Sequence, residues 1–222
     1  MCPAHPEREH SEPRWHRRKE ERPAEILDAA LTEFVARGYS ATRLEDVARR
    51  AGCTKGTIFL YFANKEELFK ALVRQTVLPR IQQAEAMVEQ HQGSYSDLLQ
   101  KLMRSRWEAV VNSRASCLPK LLFAEAKNFP ELARFHFEEV VSRHQALVER
   151  VLNAGIAAGE FREHDAESVA RIAAAPLLLA SLWKHSFEPH AVVHIDPERF
   201  FEASLDLLLR GIARTADGGT GR

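Results

Sequence analysis

Residues 42–68 read TRLEDVARRAGCTKGTIFLYFANKEEL, and the spacing in this stretch predicts two short helices joined by a tight turn. Thr42 and Glu45 have the spacing of a capping box, which predicts the start of the first helix. Gly52 predicts the turn, and Thr54 is the expected N-cap of the second helix. Two short helices in this arrangement are typical of a helix-turn-helix, whose second helix enters the major groove of DNA.

The same region is rich in positive charge although the whole chain is neutral. The 31 Lys and Arg residues balance 31 Asp and Glu residues, which excludes a strongly basic chromatin protein and a polyacidic tail. Between residues 37 and 65, however, six basic residues stand against two acidic ones. The groups expected to reach phosphates are Thr42, Lys55, Tyr61 and Lys65, and those expected in the groove are Thr54, Lys55 and Thr57 beside Gly56. A solvated, charge-rich helical hairpin is the alternative that these charges alone leave open.

Helical spacing of apolar residues continues on both sides of this stretch, and no strand pattern or fixed-period repeat is visible. Upstream, Pro23 predicts the start of a helix and Gly38 its end. Downstream helices are predicted over 65–89, 95–112, 117–127, 130–158, 166–187 and 197–214, with Asn64, Asn128, Asp165 and Asp196 as starting residues. The expected fold class is all-α, with a three-helix N-terminal domain and a C-terminal helical bundle.

These boundaries divide the chain into four parts. Residues 1–22 are expected to form a polar, flexible, basic arm, residues 23–68 the helix-turn-helix domain, residues 69–214 the second domain, and residues 215–222 a flexible tail. The basic residues of the arm could contact the minor groove or the phosphates, and a solvated tail is the other interpretation.

The block of Ala51-Gly52, Lys55-Gly56-Thr57, Tyr61-Phe62 and Lys65-Glu66 resembles the DNA-binding signature of the TetR/AcrR family of one-component transcriptional regulators. The resemblance implies DNA contact at Thr42, Arg43, Thr54, Lys55, Gly56, Thr57, Tyr61 and Lys65. Three positions depart from the family pattern: Cys53, Phe59 and Leu60 stand where Val, Tyr and His are frequent. Two polar groups are thereby lost, so more of the backbone contact is expected from Tyr61 and Lys65, while Cys53 is interpreted as a small apolar residue.

Residues 119–159 resemble, less specifically, the effector domain of the AefR-like subgroup, which implies a ligand pocket inside a helical bundle and dimerisation through the last two helices. A small apolar or amphipathic effector is the expected ligand. The candidate lining residues are Met103, Trp107, Phe123, Glu125, Phe137, Val141, His144, Leu177 and Trp183. Glu125 and His144 would orient the ligand, since a mostly apolar pocket needs few polar groups. Each of the large apolar residues can equally belong to the ordinary core.

The segments 166–183 and 197–212 are more apolar than a helix packed on one side requires. A two-fold, four-helix interface would bury the excess, which predicts a homodimer. The alternative is that both segments are core helices of a monomer.

The remaining patterns argue against other classes. The histidines and the three cysteines lack the spacing of a metal site, no disulfide framework is evident, and no cofactor or catalytic motif is present, so no metal, no cofactor and no enzymatic activity are expected. The apolar run over 173–183 is interrupted by Pro176 and is too short to span a bilayer, and the N-terminus lacks a secretory pattern. The expected location is the cytoplasm, away from membranes.

Together these expectations describe a homodimeric regulator, most simply a repressor that binds a palindromic DNA operator and is released by a small ligand. Two other hypotheses stay open: a transcriptional activator or ligand-independent architectural DNA-binding protein, and a helical ligand-binding protein or enzyme with a vestigial helix-turn-helix.

Overall fold

The computed structural model describes residues 14–192 and 194–214, with side chains from residue 21 onward except that of Pro189. The helices are α1 (Arg14–Ala41), α2 (Leu44–Arg50), α3 (Lys55–Phe59), α4 (Lys65–Glu89), α5 (Tyr95–Trp107), α6 (Leu118–Glu125), α7 (Pro130–His136), α8 (Ser142–Ala157), α9 (Ala166–Ser186) and α10 (Pro197–Ile212). The described residues also contain two π-helical segments (Glu108–Asn112 and Phe137–Val141) and a 3₁₀ turn (Glu188–His190). The described residues contain no strand beyond an isolated bridge between Phe161 and Ala213, so the all-α prediction is confirmed.

The first helix begins earlier than its sequence predicts. It starts at Arg14 and contains Pro23 in its interior, whereas Pro23 was expected at its first position. Part of the expected flexible arm is therefore helical, while residues 1–13 and the tail over 215–222 lie outside the described residues. Gly38 interrupts the helix as predicted, because its φ of 80° lies in the left-handed region that favours glycine.

The predicted caps of α3 and α4 are confirmed. The Thr54 hydroxyl accepts a hydrogen bond from the Thr57 amide at 3.1 Å, and the Asn64 side chain accepts one from the Glu67 amide at 2.9 Å. These bonds satisfy amide groups that have no partner inside the helix. Asp165 and Asp196 cap α9 and α10 in the same way.

Two other predicted helix starts are wrong. The residue preceding α2 is Arg43, without a side-chain cap, because the Thr42 hydroxyl turns inward and donates to the Gly38 carbonyl at 2.6 Å. At α7 the preceding residue is Phe129, and the Asn128 side chain donates to Glu125 instead.

The apolar residues form two clusters that do not follow the expected domain boundary. The first cluster joins α1, α2 and α3 to the first part of α4 and to the segment over 117–140. The second cluster joins α5, α8, α9 and α10 to Ala84 near the end of α4. The long helix α4 thus belongs to both clusters and connects them.

Helix α9 is long and apolar enough to cross a membrane if length and composition alone are considered, and a third of the apolar window is buried inside the protein. Its buried residues include Ala170, Ala173 and Leu177, within the second cluster. Ile172 and Leu179 remain exposed. The helix therefore has one packed face and one apolar face directed outward.

We predict that Gly155→Ala destabilises the protein by about 1–3 kcal/mol, because the added methyl group overpacks the second cluster. Its Cβ would lie 2.2 Å from a ring carbon of Phe161. Gly56→Ala is the matched control, since its Cβ would meet its nearest neighbour at 3.6 Å. Chemical denaturation of both variants and the wild type measures the difference, and equal stability of the two variants would contradict the prediction.

Candidate functional site

The first turn of α3 forms an exposed surface on a firmly anchored helix. Thr54, Lys55 and Gly56 are exposed and Thr57 is half-buried, whereas Ile58 is fully buried in the first apolar cluster. The Thr54 and Thr57 hydroxyl oxygens lie 3.0 Å apart and fix each other's position. The turn therefore presents hydroxyl and ammonium groups on a defined backbone, as readout of base edges requires.

Gly56 has no internal reason to be glycine. It lies outside the left-handed region, is exposed, and a Cβ at this position would meet no close neighbour. Glycine inside a helix costs about 0.5–1 kcal/mol relative to alanine. Its presence therefore favours the close approach of a partner to the α3 backbone.

The Lys55 ammonium is held by its neighbours in the absence of such a partner. It lies 2.7 Å from Glu45 Oε1 and 5.7 Å from the centre of the Phe59 ring. The hydrogen bond from Lys55 lowers the pKa of the Glu45 carboxyl. Phe59 and Leu60 are 47% and 81% exposed, so the two departures from the family pattern place apolar surface beside these cations.

Three of the six basic residues of this region form ion pairs within α1 and α2 or between them. Arg50 and Arg37 contact the buried Glu33 at 2.6 and 3.1 Å, and Arg37 and Arg49 contact Asp46 at 2.9 and 3.1 Å. The Arg50–Glu33 and Arg37–Asp46 pairs tie α1 to α2. Arg43 differs from these arginines, because it pairs with no carboxylate in the described part of the chain.

Lys65, which the sequence predicts to reach a phosphate, is engaged inside the protein. Its ammonium donates to the carbonyl oxygens of Tyr39, Ser40 and Thr42 at 2.9, 3.1 and 3.1 Å. Burial lowers the pKa of Lys65. All three donors are used inside the protein, and the Thr42 hydroxyl is buried as well. Both side chains position the helix-turn-helix from within.

Glu125 also helps to fix the turn after α1 from inside the protein. Its Oε1 accepts a hydrogen bond from the Ser40 amide at 3.1 Å, which attaches α6 to the end of α1. Tyr39 packs against Phe129 and Phe69 with ring centres 4.8 and 5.3 Å apart, and burial raises its pKa to about 12. The predicted role of Glu125 in orienting a ligand is thus not supported by its position. Tyr61 is half-buried against the first apolar cluster.

The structure does not bring the other predicted ligand residues together. Phe123, Phe137 and Val141 are exposed. Trp107 is buried, donates to Glu198 at 3.1 Å and packs on Phe201, as a core residue does. Trp183 lines a separate hollow and donates to Glu188 at 3.0 Å.

Met103 and Leu177 line an open groove of about 370 Å³ between α9 and α10. Other apolar residues of the groove include Ile172 and Leu207, which are 61% and 72% exposed. The groove is therefore an apolar recess in a surface that the sequence predicted to be buried in a dimer.

His144 is the one predicted polar ligand residue that lies in the interior among other polar groups, within the part of the chain described. Its Nδ1 lies 3.0 Å from the Val140 carbonyl oxygen, and burial together with nearby Arg106 lowers its pKa to about 3. Burial also lowers the pKa of His136 to about 4 and that of Arg106 to about 10. Arg106 Nε and His136 Nδ1 are buried without a hydrogen-bond partner.

Arg106 and His136 are not among the predicted site residues, although the sequence around Arg106 holds a signal. It follows Leu99, Leu102 and Met103 at helical spacing and so lies on the apolar face of α5. An arginine on such a face is rarely buried without a pair.

The described residues contain no cluster of three or more His, Cys, Asp or Glu side chains that could hold a metal ion. Cys53 and Cys117 are free, and burial raises the pKa of both thiols. A thiol with a raised pKa is a poor nucleophile, so neither residue has the character of a redox sensor.

We predict that His136→Gln reduces the acid sensitivity of the fold. Above the unfolded pKa of 6.5 His136 is neutral in both states, and as the pH falls toward 4 the unfolded chain takes up a proton that the folded chain does not. Because the pKa of His136 is lowered in the folded state, the free energy of unfolding falls as the pH drops from 6.5 to 4. The loss is of the order of 3 kcal/mol. Unfolding curves at pH 7 and pH 4.5 measure the loss. His190→Gln, at the surface, is the control, and equal losses in the two variants would contradict the prediction.

Comparison with known proteins places this arrangement in a family. Residues 26–72 match the bacterial regulatory proteins of the tetR family, and residues 97–210 match the C-terminal domain of AefR-like transcriptional repressors. The second match alone spans half of the chain.

Individual relatives agree with these matches. The helix-turn-helix regulator YfiR of Bacillus subtilis is 31% identical over 65% of this chain and 70% of its own. The ketosteroid transcriptional regulator KstR2 of Mycobacterium tuberculosis is similar in structure, with a TM-score of 0.68 and 26% identity over 87% of this chain and 96% of that chain.

A third comparison concerns the fold alone. FadR of Bacillus subtilis, solved in complex with stearoyl-CoA, has a TM-score of 0.67 and 20% identity over 85% of this chain and 98% of its own. The two family matches, the relatives and the exposed α3 surface agree, and the chain belongs to the TetR family of DNA-binding transcriptional regulators.

Proposed function

We propose that the protein is a homodimeric repressor that binds a palindromic operator through α3 and is released by a small amphipathic ligand. The observation that carries the proposal is the first turn of α3, where Thr54, Lys55 and Thr57 surround an exposed Gly56 that the fold itself does not require. A helix entering the major groove uses its first residues in this way.

The side chains divide into direct and indirect roles. Thr54, Lys55 and Thr57 read base edges, and DNA replaces Glu45 as the partner of Lys55. Arg43 and Tyr61 contact the phosphates. The exposed Phe59 and Leu60 side chains extend the apolar surface that can pack on thymine methyl groups. Lys65 and Thr42 act from inside, by fixing the turn between α1 and α2.

The dimer forms through α9 and α10. Both helices carry exposed apolar side chains, among them Ile172, Leu179 and Leu207, and the groove between them gives a second copy a recess to fill. A two-fold arrangement of this face buries the same patch on both protomers. It also presents two α3 helices to half-sites about 34–36 Å apart or somewhat more.

Release by a ligand follows from differential affinity for two arrangements of the protomers. Relatives that are named for ketosteroid regulation, or were solved with stearoyl-CoA, support a mostly apolar effector. Helix α4 belongs to both apolar clusters, and the Glu125–Ser40 hydrogen bond attaches α6 to α1. A ligand that displaces α4 or α6 would therefore change the spacing of the two reading helices.

Selection of fragmented genomic DNA on the purified protein at about 0.15 M salt tests the proposal. One or a few enriched palindromes would support a specific regulator, and promoter fusions with and without the gene would distinguish repression from activation. Protection of long tracts would favour the architectural alternative, and uniform retention that disappears with salt would contradict specific binding. In the cell, we place this activity in the cytoplasm, where the DNA lies.

We predict that Gly56→Ala leaves stability unchanged or raises it slightly but weakens binding to the selected operator at least tenfold, because its methyl group keeps α3 away from the groove. Thr57→Ala and Lys55→Ala are expected to change the preferred sequence as well as the affinity, by about 1–3 kcal/mol at the position each reads. Repeating the selection with each variant measures both effects. A uniform loss over all sequences for the three variants would argue against base readout by α3.

We predict that Lys65→Met lowers the free energy of unfolding by about 1–3 kcal/mol, since carbonyl groups lose a charged donor. It should leave the salt dependence of DNA binding unchanged, because Lys65 contacts no phosphate. Arg43→Met is the matched comparison and should lower the slope of log K against log salt by about 1 while preserving stability. A reduced slope for Lys65→Met would restore it as a phosphate contact.

A further inference from the structure

Arg106 and His136 both act electrostatically on the buried His144, so the three side chains lie near one another and form a polar cluster in the interior. Their buried neighbours along the chain are Met103 and Leu147 in the second cluster and Phe135 and Val140 in the first. Residues of different helices thus converge there: Arg106 near the end of α5, His136 at the end of α7 and His144 near the start of α8. A ligand at this point would lie beside α4, which packs against α7, α8 and the second π-helical segment.

Both π-helical segments adjoin this cluster. Arg106 lies two residues before the segment Glu108–Asn112, and His136 directly precedes Phe137–Val141. His144 follows the second segment. Such segments are rare, because their hydrogen bonds are less favourable than those of an α-helix, and they occur frequently at functional sites. This observation is independent of the charges.

The cluster holds positive charge that the protein does not neutralise. The ionisable groups that act on His144 are Arg106, His136 and Arg143, and no carboxylate is among them. Arg143 is paired with Glu85 at 2.7 Å, and Glu139, on the adjoining π-helical segment, is paired with Arg74 at 2.8 Å. Within the described residues, no carboxylate pairs with Arg106. A buried guanidinium without a pair is unfavourable, so an anion from outside would complete the site.

Two polar atoms of the cluster still lack a partner. Arg106 and His136 are partly accessible as residues, although Arg106 Nε and His136 Nδ1 are buried and unpaired. A ligand that reaches these atoms would supply the hydrogen bonds that the fold does not provide. The planar guanidinium matches a carboxylate, with which it can form two parallel hydrogen bonds.

We propose that Arg106 and His136 bind the carboxylate of a monoanionic amphipathic ligand, whose hydrocarbon part lies among the apolar residues around the cluster. His144 lies beside them and donates to the Val140 carbonyl. A single negative charge balances the single unpaired guanidinium, while the neutral imidazole of His136 can donate one hydrogen bond without adding charge. The proposal rests on the ligand-released regulator proposed above and names its class of effector.

Isothermal titration of the full-length protein tests this site. The probes are dodecanoate, the uncharged dodecanol of equal chain length, and dodecanoyl-CoA, with octanoate and hexadecanoate to cover other lengths. Dodecanoate should bind at least tenfold more tightly than dodecanol. Arg106→Gln should weaken dodecanoate binding about 10- to 100-fold and leave dodecanol binding unchanged.

Two further variants keep the test decisive. Arg104→Gln is the matched control, because Arg104 lies two residues earlier on α5, is exposed and pairs with Glu202 at 2.6 Å, so this variant should bind dodecanoate like the wild type. Arg106→Lys keeps the charge and should retain part of the affinity. The melting temperature of ligand-free Arg106→Gln should be equal to or above that of the wild type, since an unpaired buried charge is removed.

Each outcome separates this site from the proposed function, provided that retention of selected operator DNA is measured on the same preparations. If DNA is retained and no carboxylate binds, or if Arg106→Gln binds dodecanoate like the wild type, the carboxylate site is wrong and the regulator stands. If dodecanoyl-CoA binds while the free carboxylates do not, the site is likewise overturned. If dodecanoate binding depends on Arg106 but no operator is retained, the site stands and the repressor is wrong.

Discussion

The interaction on which the rest of the structure depends is the contact between the Lys65 ammonium and three carbonyl groups in the turn that follows α1. Gly38 ends the regular helix, and the carbonyl groups beyond it have no partners of their own within the helix. A single charged side chain at the start of α4 satisfies three of them. The orientation of α2 and α3 is thereby set by α4, although neither short helix could hold a fixed position by itself.

The same turn is connected to the dimerisation face that we propose. The Ser40 amide donates to Glu125 on α6. The residues before α6 are bound in turn to α9, because the Ser181 hydroxyl donates to the Ser116 carbonyl at 2.7 Å and the Ser116 hydroxyl lies 2.8 Å from His185 Nε2. Hydrogen bonds therefore lead from the α9 helix to the turn that carries the reading helices. A change in the packing of two protomers could therefore shift the DNA-binding surface through these few hydrogen bonds.

The fold followed from local rules, whereas the interior site did not. Apolar spacing and caps such as Thr54 and Asp196 identify helices because they depend on neighbours a few residues away. The predicted ligand residues do not lie together, because spacing shows which residues share a face but not what that face meets. A π-helical segment adds a residue to one turn, which displaces Phe137 and Val141 from the face that a continuous helix over 130–158 would give them. The hydrogen bonds from Lys65 to the turn after α1 join residues more than twenty positions apart, and no local sequence pattern predicts them.

Some of the places where this sequence departs from the rules of stability lie where a function is proposed. An exposed glycine weakens α3, an unpaired guanidinium lies in the interior, and two π-helical segments interrupt regular helices beside it. A sequence shaped by folding alone would replace each of them at little cost. They occur instead at two locations, one at the surface where DNA would lie and one at the polar cluster in the interior. Helix α4 belongs to both apolar clusters and so connects the two locations. The stability lost at each location is consistent with a protein that binds DNA at the first and an anion at the second, and exchanges one for the other.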